Sequence, residues 1–292
     1  MNNLTLYLAA VLIWGSTWLA ITFQFGTVAP EVSVAYRFGL AGITLLAWAL
    51  IRGLRLRFSW REHLWMAAQG GLLFGVNYVC VYLAETHINS GVVAVLFSLI
   101  VFWNILGTRV FFGTPLRPST LFAAALGVTG VTLLFLPELG HSNAGGNGAI
   151  GVGFAVMGTI CASGGNLLSA RNQRRGLPVL QLNLYGMLYG AAFVALYALM
   201  AGRTFTFDWS AGYVLSLVYL AWFGSVIAFG AYLTLVGRIG ADRAGYSGAV
   251  IPIVALLLSV WFEGLTLGLG SIIGIVLCVV GNVIVLRKKK VS

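Results

Sequence analysis

Charged residues are scarce in this sequence of 292 residues, because Asp, Glu, Lys and Arg together make up only 8% of it. A typical soluble domain carries roughly 25%. So few charges cannot cover the water-facing surface of a chain this long. Hydrophobic residues reach 60%, and the mean hydropathy is +0.96. The composition therefore excludes an ordinary soluble protein and indicates that the solvent is a lipid bilayer.

Cysteine and aspartate are almost absent. The three cysteines lie inside apolar runs without a Cys-x-x-Cys spacing, which predicts neither a disulfide framework nor a metal site. The two aspartates, Asp208 and Asp242, lie in or beside predicted loops. Zinc-protease, nucleophile-elbow and phosphate-loop motifs are also missing. The sequence therefore predicts neither an enzyme nor a bound cofactor.

Apolar runs of about 20 residues, each long enough to cross a bilayer, are the main feature that is present. They predict ten transmembrane helices, near residues 4–24, 31–51, 63–84, 89–112, 117–136, 148–168, 178–200, 212–236, 242–262 and 267–286. The longest polar gap, residues 137–148, follows the fifth helix. It divides the chain into two halves of five helices.

The basic residues give this topology an orientation. All but two of the 17 Lys and Arg residues fall on one side of it, the exceptions being Arg37 and Arg203. Cytoplasmic loops carry the excess of positive charge, so both termini are predicted to be cytoplasmic. The net charge of +10 then indicates contact with anionic headgroups, and no nucleic-acid partner is predicted.

The two halves resemble each other weakly but at equivalent places. Sliding the chain by 151 residues, or by slightly less, aligns Gly113 with Gly264, Leu116 with Leu267, Gly130 with Gly281, Pro30 with Pro178, and Phe74-Gly75 with Phe223-Gly224. An odd number of helices per half inverts the second half in the membrane. The predicted fold is therefore an all-α integral membrane protein of ten transmembrane helices in two inverted five-helix repeats, residues 1–138 and 148–292, joined by an external loop at 139–147. Inverted repeats are a common transporter architecture.

Several short motifs carry a family resemblance over the whole chain. They are Trp14-Gly15-Ser16-Thr17-Trp18, Arg37, Tyr82-Leu83-Ala84, Ser90-Gly91-Val92-Val93-Ala94 and Glu263-Gly264-Leu265-Thr266. With them the chain resembles the EamA-type members of the drug/metabolite transporter superfamily, and it is similar to the aromatic amino acid exporters of that group. The resemblance implies ten helices in two repeats and the export of metabolites such as amino acids. Phe112-Gly113 departs from the Glu-Gly pattern, so a paired acidic role at both repeat ends is not expected.

The third predicted helix carries the main candidate site. Tyr78, Tyr82 and Glu85 occupy positions i, i+4 and i+7 and so share one stripe, with Asn77 beside it. A phenol left unpaired in hydrocarbon is costly, so this stripe is predicted to face a cavity between the repeats. The alternative is an aromatic belt at the outer interface, especially for Tyr82 and Glu85.

Other candidates lie on helices 1, 4 and 6. Trp14 and Trp18 are one turn apart and are predicted either to stack on the apolar part of a solute or to pack against lipid. Ser98 and Trp103 are the polar or amphipathic members of helix 4, and Ser163 lies in a Gly-rich part of helix 6. As binding residues, all five are predicted to line the substrate path. For Ser163 the alternative is that its neighbouring glycines allow tight helix packing, which is the more common use of such residues.

Three residues are predicted to take part in gating. Pro252 removes a backbone hydrogen bond at the centre of helix 9, where Tyr246 and Ser247 are predicted to line the resulting gap and contact substrate. Glu85 lies at a helix end. Arg37 is basic and well inside a span, which favours a structural or gating role over binding a substrate carboxylate, or else snorkelling to the interface.

The sequence thus predicts a transporter of small metabolites, amino acids above all, including aromatic or apolar ones, that works by alternating access as an exporter or facilitator. The predicted location is a bacterial inner membrane, with lipid and a small solute as partners. A proton-coupled drug or metabolite antiporter and a channel are the alternatives. Ala123 and Gly130 align with Gly274 and Gly281, and this small-residue stripe predicts a packing face or a homodimer face.

Overall fold

The computed structural model describes residues 2–113, 118–140, 148–239 and 247–286, and these residues form helices and connections without any strand. The helical segments are α1 (Asn3–Thr22), α2 (Pro30–Ile51), α3 (Trp60–Glu85), α4 (Ser90–Phe112), α5 (Pro118–Gly140), α6 (Gly148–Arg174), α7 (Val179–Met200), α8 (211–239), α9 (Ser247–Phe262) and α10 (Leu269–Leu286). Seven of them, all except α5, α9 and α10, are long and apolar enough to cross a membrane. The other three contain shorter apolar stretches, at Leu121–Gly130, Val250–Phe262 and Leu269–Gly281. The chain is therefore a multi-pass membrane protein.

The helix ends differ from the predicted ones in two informative places. Helix α5 continues to Gly140, so the first two residues of the predicted 139–147 connection are helical, while 141–147 lie outside the described residues. Helix α6 continues to Arg174, well past the predicted end at residue 168. Polar residues such as Arg171 did not end this helix because a membrane helix can extend beyond the hydrocarbon core into the headgroup region.

Local sequence signals account for several helix starts. The side chain of Asn2 accepts a hydrogen bond from the Thr5 amide at the start of α1. At the start of α3, Ser59 and Glu62 form a capping box. Helix α2 begins with Pro30, whose missing amide hydrogen costs nothing in the first turn.

Glycines in the left-handed conformation follow the same helices of each half. They are Gly26, Gly53 and Gly113, after α1, α2 and α4, and Gly176, Gly202 and Gly264, after α6, α7 and α9. Side chains other than hydrogen are strained at such φ values, and a left-handed glycine is a common end of a helix. Among the described residues, the three turns of one half therefore have counterparts in the other.

The third helix of each half contains a π-helical segment. In α3 it is Gly71–Val76, and in α8 it is Tyr219–Ile227. These segments include the Phe-Gly pairs that align between the halves. A π-segment loosens the regular ladder of backbone hydrogen bonds and offers carbonyl groups to other partners.

Contacts between the halves are reciprocal. Helix α1 packs against α8 and α9, and α6 packs against α3 and α4; α2 packs against α8, and α7 against α3. The pairs α2 with α7, α4 with α9, and α5 with α10 complete the pattern. Each of these contacts is thus either repeated between the counterpart helices or joins two counterparts.

Helices α5 and α10 meet through the predicted small-residue stripe. A Cβ atom at Gly130 would lie 2.5 Å from the carbonyl oxygen of Gly274, and one at Gly281 would lie 2.8 Å from that of Ala123. Small residues allow this close approach of helix backbones. Of the two predicted uses of the stripe, packing within the chain is the one that the structure contains.

Candidate functional site

A buried arginine occupies the contact between α2, α3 and α8. The side chain of Arg37 is 1% exposed. Its guanidinium carbon lies 4.6 Å from the ring centroid of Tyr78 and 5.1 Å from that of Phe38. Its Nε donates a long hydrogen bond of 3.5 Å to Ser225 Oγ in the π-segment of α8. Its Nη1 is buried without a hydrogen-bond partner in the described part of the chain. Arg37 therefore does not snorkel outward.

Two further polar side chains of α3 end close to this arginine. Tyr82 is fully buried, with its ring edge-on to Phe25 at 6.2 Å. One turn further, Glu85 is 8% exposed. Both carboxylate oxygens of Glu85 have no hydrogen-bond partner among the described residues. The hydroxyl of Tyr82 makes no well-aligned hydrogen bond there, but it lies near enough to Arg37 to interact with that side chain. Arg37 and Glu85 both interact electrostatically with Tyr82. We call Arg37, Tyr82 and Glu85 the polar cluster.

Asn77 lies on a different side of α3 from the polar cluster. Its Nδ2 donates to the Leu73 carbonyl at 3.0 Å. Its buried Oδ1 has no partner in the described residues and faces Gly158 of α6. Ser163, also on α6, is buried. Asn77 is therefore associated with the α3–α6 contact and not with Arg37.

The tryptophans of α1 contact two other helices. Trp14 Nε1 donates a 3.0 Å hydrogen bond to the Gly224 carbonyl in the π-segment of α8, and its ring lies 5.0 Å from that of Phe229. Trp18 packs against Phe97 of α4, with a ring distance of 5.3 Å. Both rings thus pack against other helices of the protein and not against lipid alone.

The candidates on α4 and α9 are dispersed. Ser98 lies where α4 is interrupted between Phe97 and Ile100, and its hydroxyl donates to the Val95 carbonyl at 2.6 Å. Trp103 is half-buried, and its Nε1 has no partner among the described residues. Ser247 is buried at the start of α9, and Pro252 lies within that helix. Tyr246 lies outside the described residues.

Two buried carboxamides were not predicted from the sequence. Gln24, just after α1, donates from Nε2 to the Tyr213 carbonyl at 2.9 Å and to Ser216 Oγ, both on α8. Asn172, near the end of α6, donates from Nδ2 to the Trp65 carbonyl at 3.4 Å and to Gln69 Oε1 at 3.0 Å, both on α3. We call these the Gln24 bridge and the Asn172 bridge.

The two bridges are equivalent in the two halves. The donors are 148 residues apart (172 minus 24), and so are the acceptor carbonyls (213 minus 65). Both carboxamide side chains are fully buried. Each joins the end of the first helix of one half to the third helix of the other half.

Glu263, directly after α9, binds the beginning of α4. Its carboxylate accepts hydrogen bonds from the amide and from the hydroxyl of Ser90. A carboxylate at a helix N-terminus satisfies free amides and complements the helix dipole. Phe112 occupies the matching place in the first half, which leaves this contact without a counterpart there.

A shallow groove of about 310 Å³, lined by Cys80, Ile150, Gly153, Phe154 and Met157 of α3 and α6, does not coincide with the polar cluster. No charged side chain lines it, whereas the polar cluster contains two. We therefore locate the candidate site at the polar cluster, where the uncompensated polar atoms are.

Comparisons with known proteins agree with a transporter. The family model of the EamA-like transporter family matches residues 2–136 and, a second time, residues 149–287. The inner membrane transporter YedA of Escherichia coli K12 is 32% identical over 267 residues, covering 89% of this chain and 82% of its own. A transporter of Archaeoglobus fulgidus is 25% identical over 286 residues, covering 96% of each chain.

The fold of the chain is similar to that of a solved structure. One crystal structure, 22% identical in sequence, covers 96% of this chain and 94% of its own with a TM-score of 0.69. That likeness shows a shared fold. Because the family model matches nearly the whole chain, in two successive copies, the chain belongs to the EamA-like transporter family and is a membrane transporter, not an enzyme.

Proposed function

We propose that the chain carries small metabolites, amino acids with aromatic or apolar side chains above all, across a bacterial inner membrane by alternating access. Its architecture in this proposal is ten transmembrane helices in two inverted five-helix repeats with cytoplasmic termini. YedA, which is named as an inner membrane transporter, supports the choice of membrane. Export or facilitated diffusion of the solute fits the proposal equally.

Four independent features support the two-repeat architecture. The family model matches each half separately. Glycines with positive φ follow corresponding helices, the π-segments fall in corresponding helices, and the two carboxamide bridges are equivalent. An inverted repeat places equivalent contacts on opposite faces of the membrane. The bridges are therefore expected at opposite faces.

The choice of substrate rests on one observation, the polar cluster with its aromatic surroundings. Arg37, Tyr82 and Glu85 present polar atoms beside the rings of Phe25 and Tyr78, at the contact with α8 of the second half. Ligand sites combine an apolar lining with a few convergent polar groups. A sugar phosphate would need several basic groups, and Arg37 is the basic member of this cluster.

A transport screen tests the proposal. Purified protein in proteoliposomes is offered radiolabelled amino acids one at a time, in both the uptake and the efflux direction. We expect saturable equilibration of phenylalanine or leucine and slower passage of charged amino acids. Empty liposomes and protein-free detergent serve as controls. Equal, non-saturating flux of all small solutes would contradict a transporter with this substrate class.

Proton-coupled transport is a second candidate, and one observation favours it. Glu85 is buried, and its carboxylate oxygens have no hydrogen-bond partner in the described part of the chain. Buried carboxylates in membrane proteins often bind and release protons. A proton gradient would then drive accumulation of the solute above its equilibrium concentration, which an uncoupled carrier cannot do.

A further inference from the structure

We propose that the polar cluster is the headgroup site of the carrier: Arg37 binds the carboxylate of a zwitterionic amino acid, Glu85 binds its ammonium group, and the Tyr82 hydroxyl donates to the same carboxylate. This inference rests on the proposed amino acid transport and adds the residues that recognise the substrate. It replaces the gating role that the sequence predicts for Arg37 and Glu85.

The first argument is that both charged groups are buried and incompletely paired. Arg37 Nη1 and both oxygens of Glu85 have no hydrogen-bond partner within the described residues. Removing a charge from water is unfavourable unless another group compensates it. A ligand with charges of both signs supplies the missing partners to both residues at once.

The second argument is that Arg37 and Glu85 interact without touching. The positive charge of Arg37 acts on the Glu85 carboxyl group. Yet Arg37 forms no salt bridge with a carboxylate in the described part of the chain. The salt bridge found there joins Arg203 to Glu31 at 3.6 Å. The two charged groups are therefore too far apart for a salt bridge, and a zwitterion that enters between them would bridge both. The Tyr82 hydroxyl interacts electrostatically with both residues.

The third argument concerns net charge and neighbours. One cation and one anion give the cluster no net charge, which matches a zwitterion and disfavours an anion or a cation. Glu263 also interacts electrostatically with Glu85, but its carboxylate already accepts hydrogen bonds from Ser90. Glu263 is therefore engaged by Ser90. As a second carboxylate it cannot compensate the charge of Glu85.

The neighbouring rings indicate the side chain of the solute. The Tyr78 ring stacks under the guanidinium of Arg37, and Phe25 packs edge-on against Tyr82. Aromatic rings pair favourably with other rings in offset or edge-to-face geometry. The site thus favours an aromatic or large apolar amino acid held by its headgroup.

A ligand-by-variant experiment tests the assignment. The probes are labelled L-phenylalanine, phenethylamine, which lacks the carboxylate, and 3-phenylpropionate, which lacks the ammonium. Binding of phenylalanine to purified protein in nanodiscs, and competition by the other two, are measured for each variant. In the unmodified protein, both analogues should bind about 100-fold more weakly than phenylalanine, because each leaves one buried charge unpaired.

The variants should respond to opposite analogues. Arg37→Gln should weaken phenylalanine binding about 100-fold while leaving phenethylamine unchanged. Glu85→Gln should weaken phenylalanine similarly while leaving 3-phenylpropionate unchanged. Tyr82→Phe keeps the ring and should weaken phenylalanine about fivefold. Arg203→Gln and Glu62→Gln, which alter charges outside the cluster, are the matched controls and should leave the binding of phenylalanine unchanged.

The results separate two kinds of failure. If phenylalanine binds and both charge variants retain full affinity, the headgroup site is wrong while amino acid transport stands. If no amino acid binds or is transported by the unmodified protein, the proposed function is wrong and the headgroup site with it. Should Arg37→Gln fail to fold, the response of Tyr82→Phe and Glu85→Gln to the two analogues decides the assignment.

Discussion

The Tyr82 side chain illustrates the chemistry of the site at the scale of single residues. Its ring packs against Phe25 in the core, while its hydroxyl ends beside Arg37 and Glu85. Tyr78, one turn earlier, contributes its ring face to the same arginine. The two tyrosines thus combine an apolar ring face with a polar hydroxyl, which the aliphatic side chain of leucine cannot do.

Replacing both tyrosines by leucine should therefore strongly reduce transport without unfolding the protein. The Tyr78→Leu, Tyr82→Leu double variant loses the ring beneath Arg37 and the buried hydroxyl, and each loss costs roughly 1–2 kcal/mol of interaction. We expect the initial rate of phenylalanine uptake in proteoliposomes to fall at least about tenfold. Tyr197→Leu, on the exposed surface of α7, is the matched control. Full activity of the double variant would refute the proposed lining.

Spacing along α3 allowed the sequence to predict which tyrosines share a side, because helical periodicity fixes that relation. The sequence could not place Arg37 against Tyr78 or pair it with Ser225, since those contacts depend on how α2, α3 and α8 pack. Asn77 shows the same limit. It is adjacent to Tyr78 in sequence, but its carboxamide faces α6.

At the scale of helices, the Gln24 and Asn172 bridges each tie two elements of different halves. Gln24 joins the end of α1 to α8, and Asn172 joins the end of α6 to α3. A buried hydrogen bond that is lost leaves its partner unsatisfied. In the proposed architecture the bridges lie at opposite faces, so each is expected to hold one side of the carrier closed.

Removing one bridge should open one face selectively. Loss of the bonds costs about 1–2 kcal/mol, or roughly a 5- to 30-fold change in the ratio of the two conformers. Single cysteines at Ser33 and Met66, both fully buried, report on the outer and inner faces after the native cysteines are replaced. Gln24→Leu should raise labelling of the cysteine at Ser33 by an impermeant thiol reagent, and Asn172→Leu that of the cysteine at Met66.

A nearby carboxamide provides the control for this experiment. Gln173 is exposed and bonds within its own helix to Ser169, so Gln173→Leu should leave both labelling rates unchanged. If Gln24→Leu and Asn172→Leu each raise labelling at both faces equally, the bridges are general stabilising contacts and do not act as gates.

The helices themselves were largely predictable from the sequence, because apolar length is set by the bilayer. The π-segments of α3 and α8 were not predictable, although the Phe74-Gly75 and Phe223-Gly224 pairs within them align between the halves. A π-segment has no composition of its own, and it forms where tertiary contacts take up the released carbonyls. The bond from Trp14 to the Gly224 carbonyl is such a contact.

At the scale of the whole molecule, the segregation of basic residues predicts the orientation of the chain. Cysteine introduced at Asn143, between the halves, should react with an impermeant thiol reagent added to intact cells, whereas cysteine at Lys289, near the carboxyl end, should not. Permeabilised cells serve as the control, in which both positions should react. The reverse pattern would contradict the inverted repeats and the expected faces of the two bridges.

The energetics of transport also belong to the whole molecule, because coupling requires a group that is exposed to the two faces alternately. The described carboxylates lie near helix ends, and the buried Glu85 interacts with Arg37. In the headgroup assignment Glu85 remains charged to hold the substrate ammonium, so it is not free to carry a proton through the cycle. The carrier is then expected to move its solute down the solute's own gradient.

Proteoliposomes loaded with phenylalanine, and held without any ion gradient, should therefore release it until the two sides are equal. An imposed inward or outward proton gradient should leave that end point unchanged, because an uncoupled carrier alters only the rate of equilibration. A protonophore added in parallel is the control. If the proton gradient instead drives accumulation above equilibrium, and Glu85→Gln abolishes accumulation but still allows equilibration, then Glu85 is the coupling residue. In that case its role is to bind a proton and not the substrate ammonium.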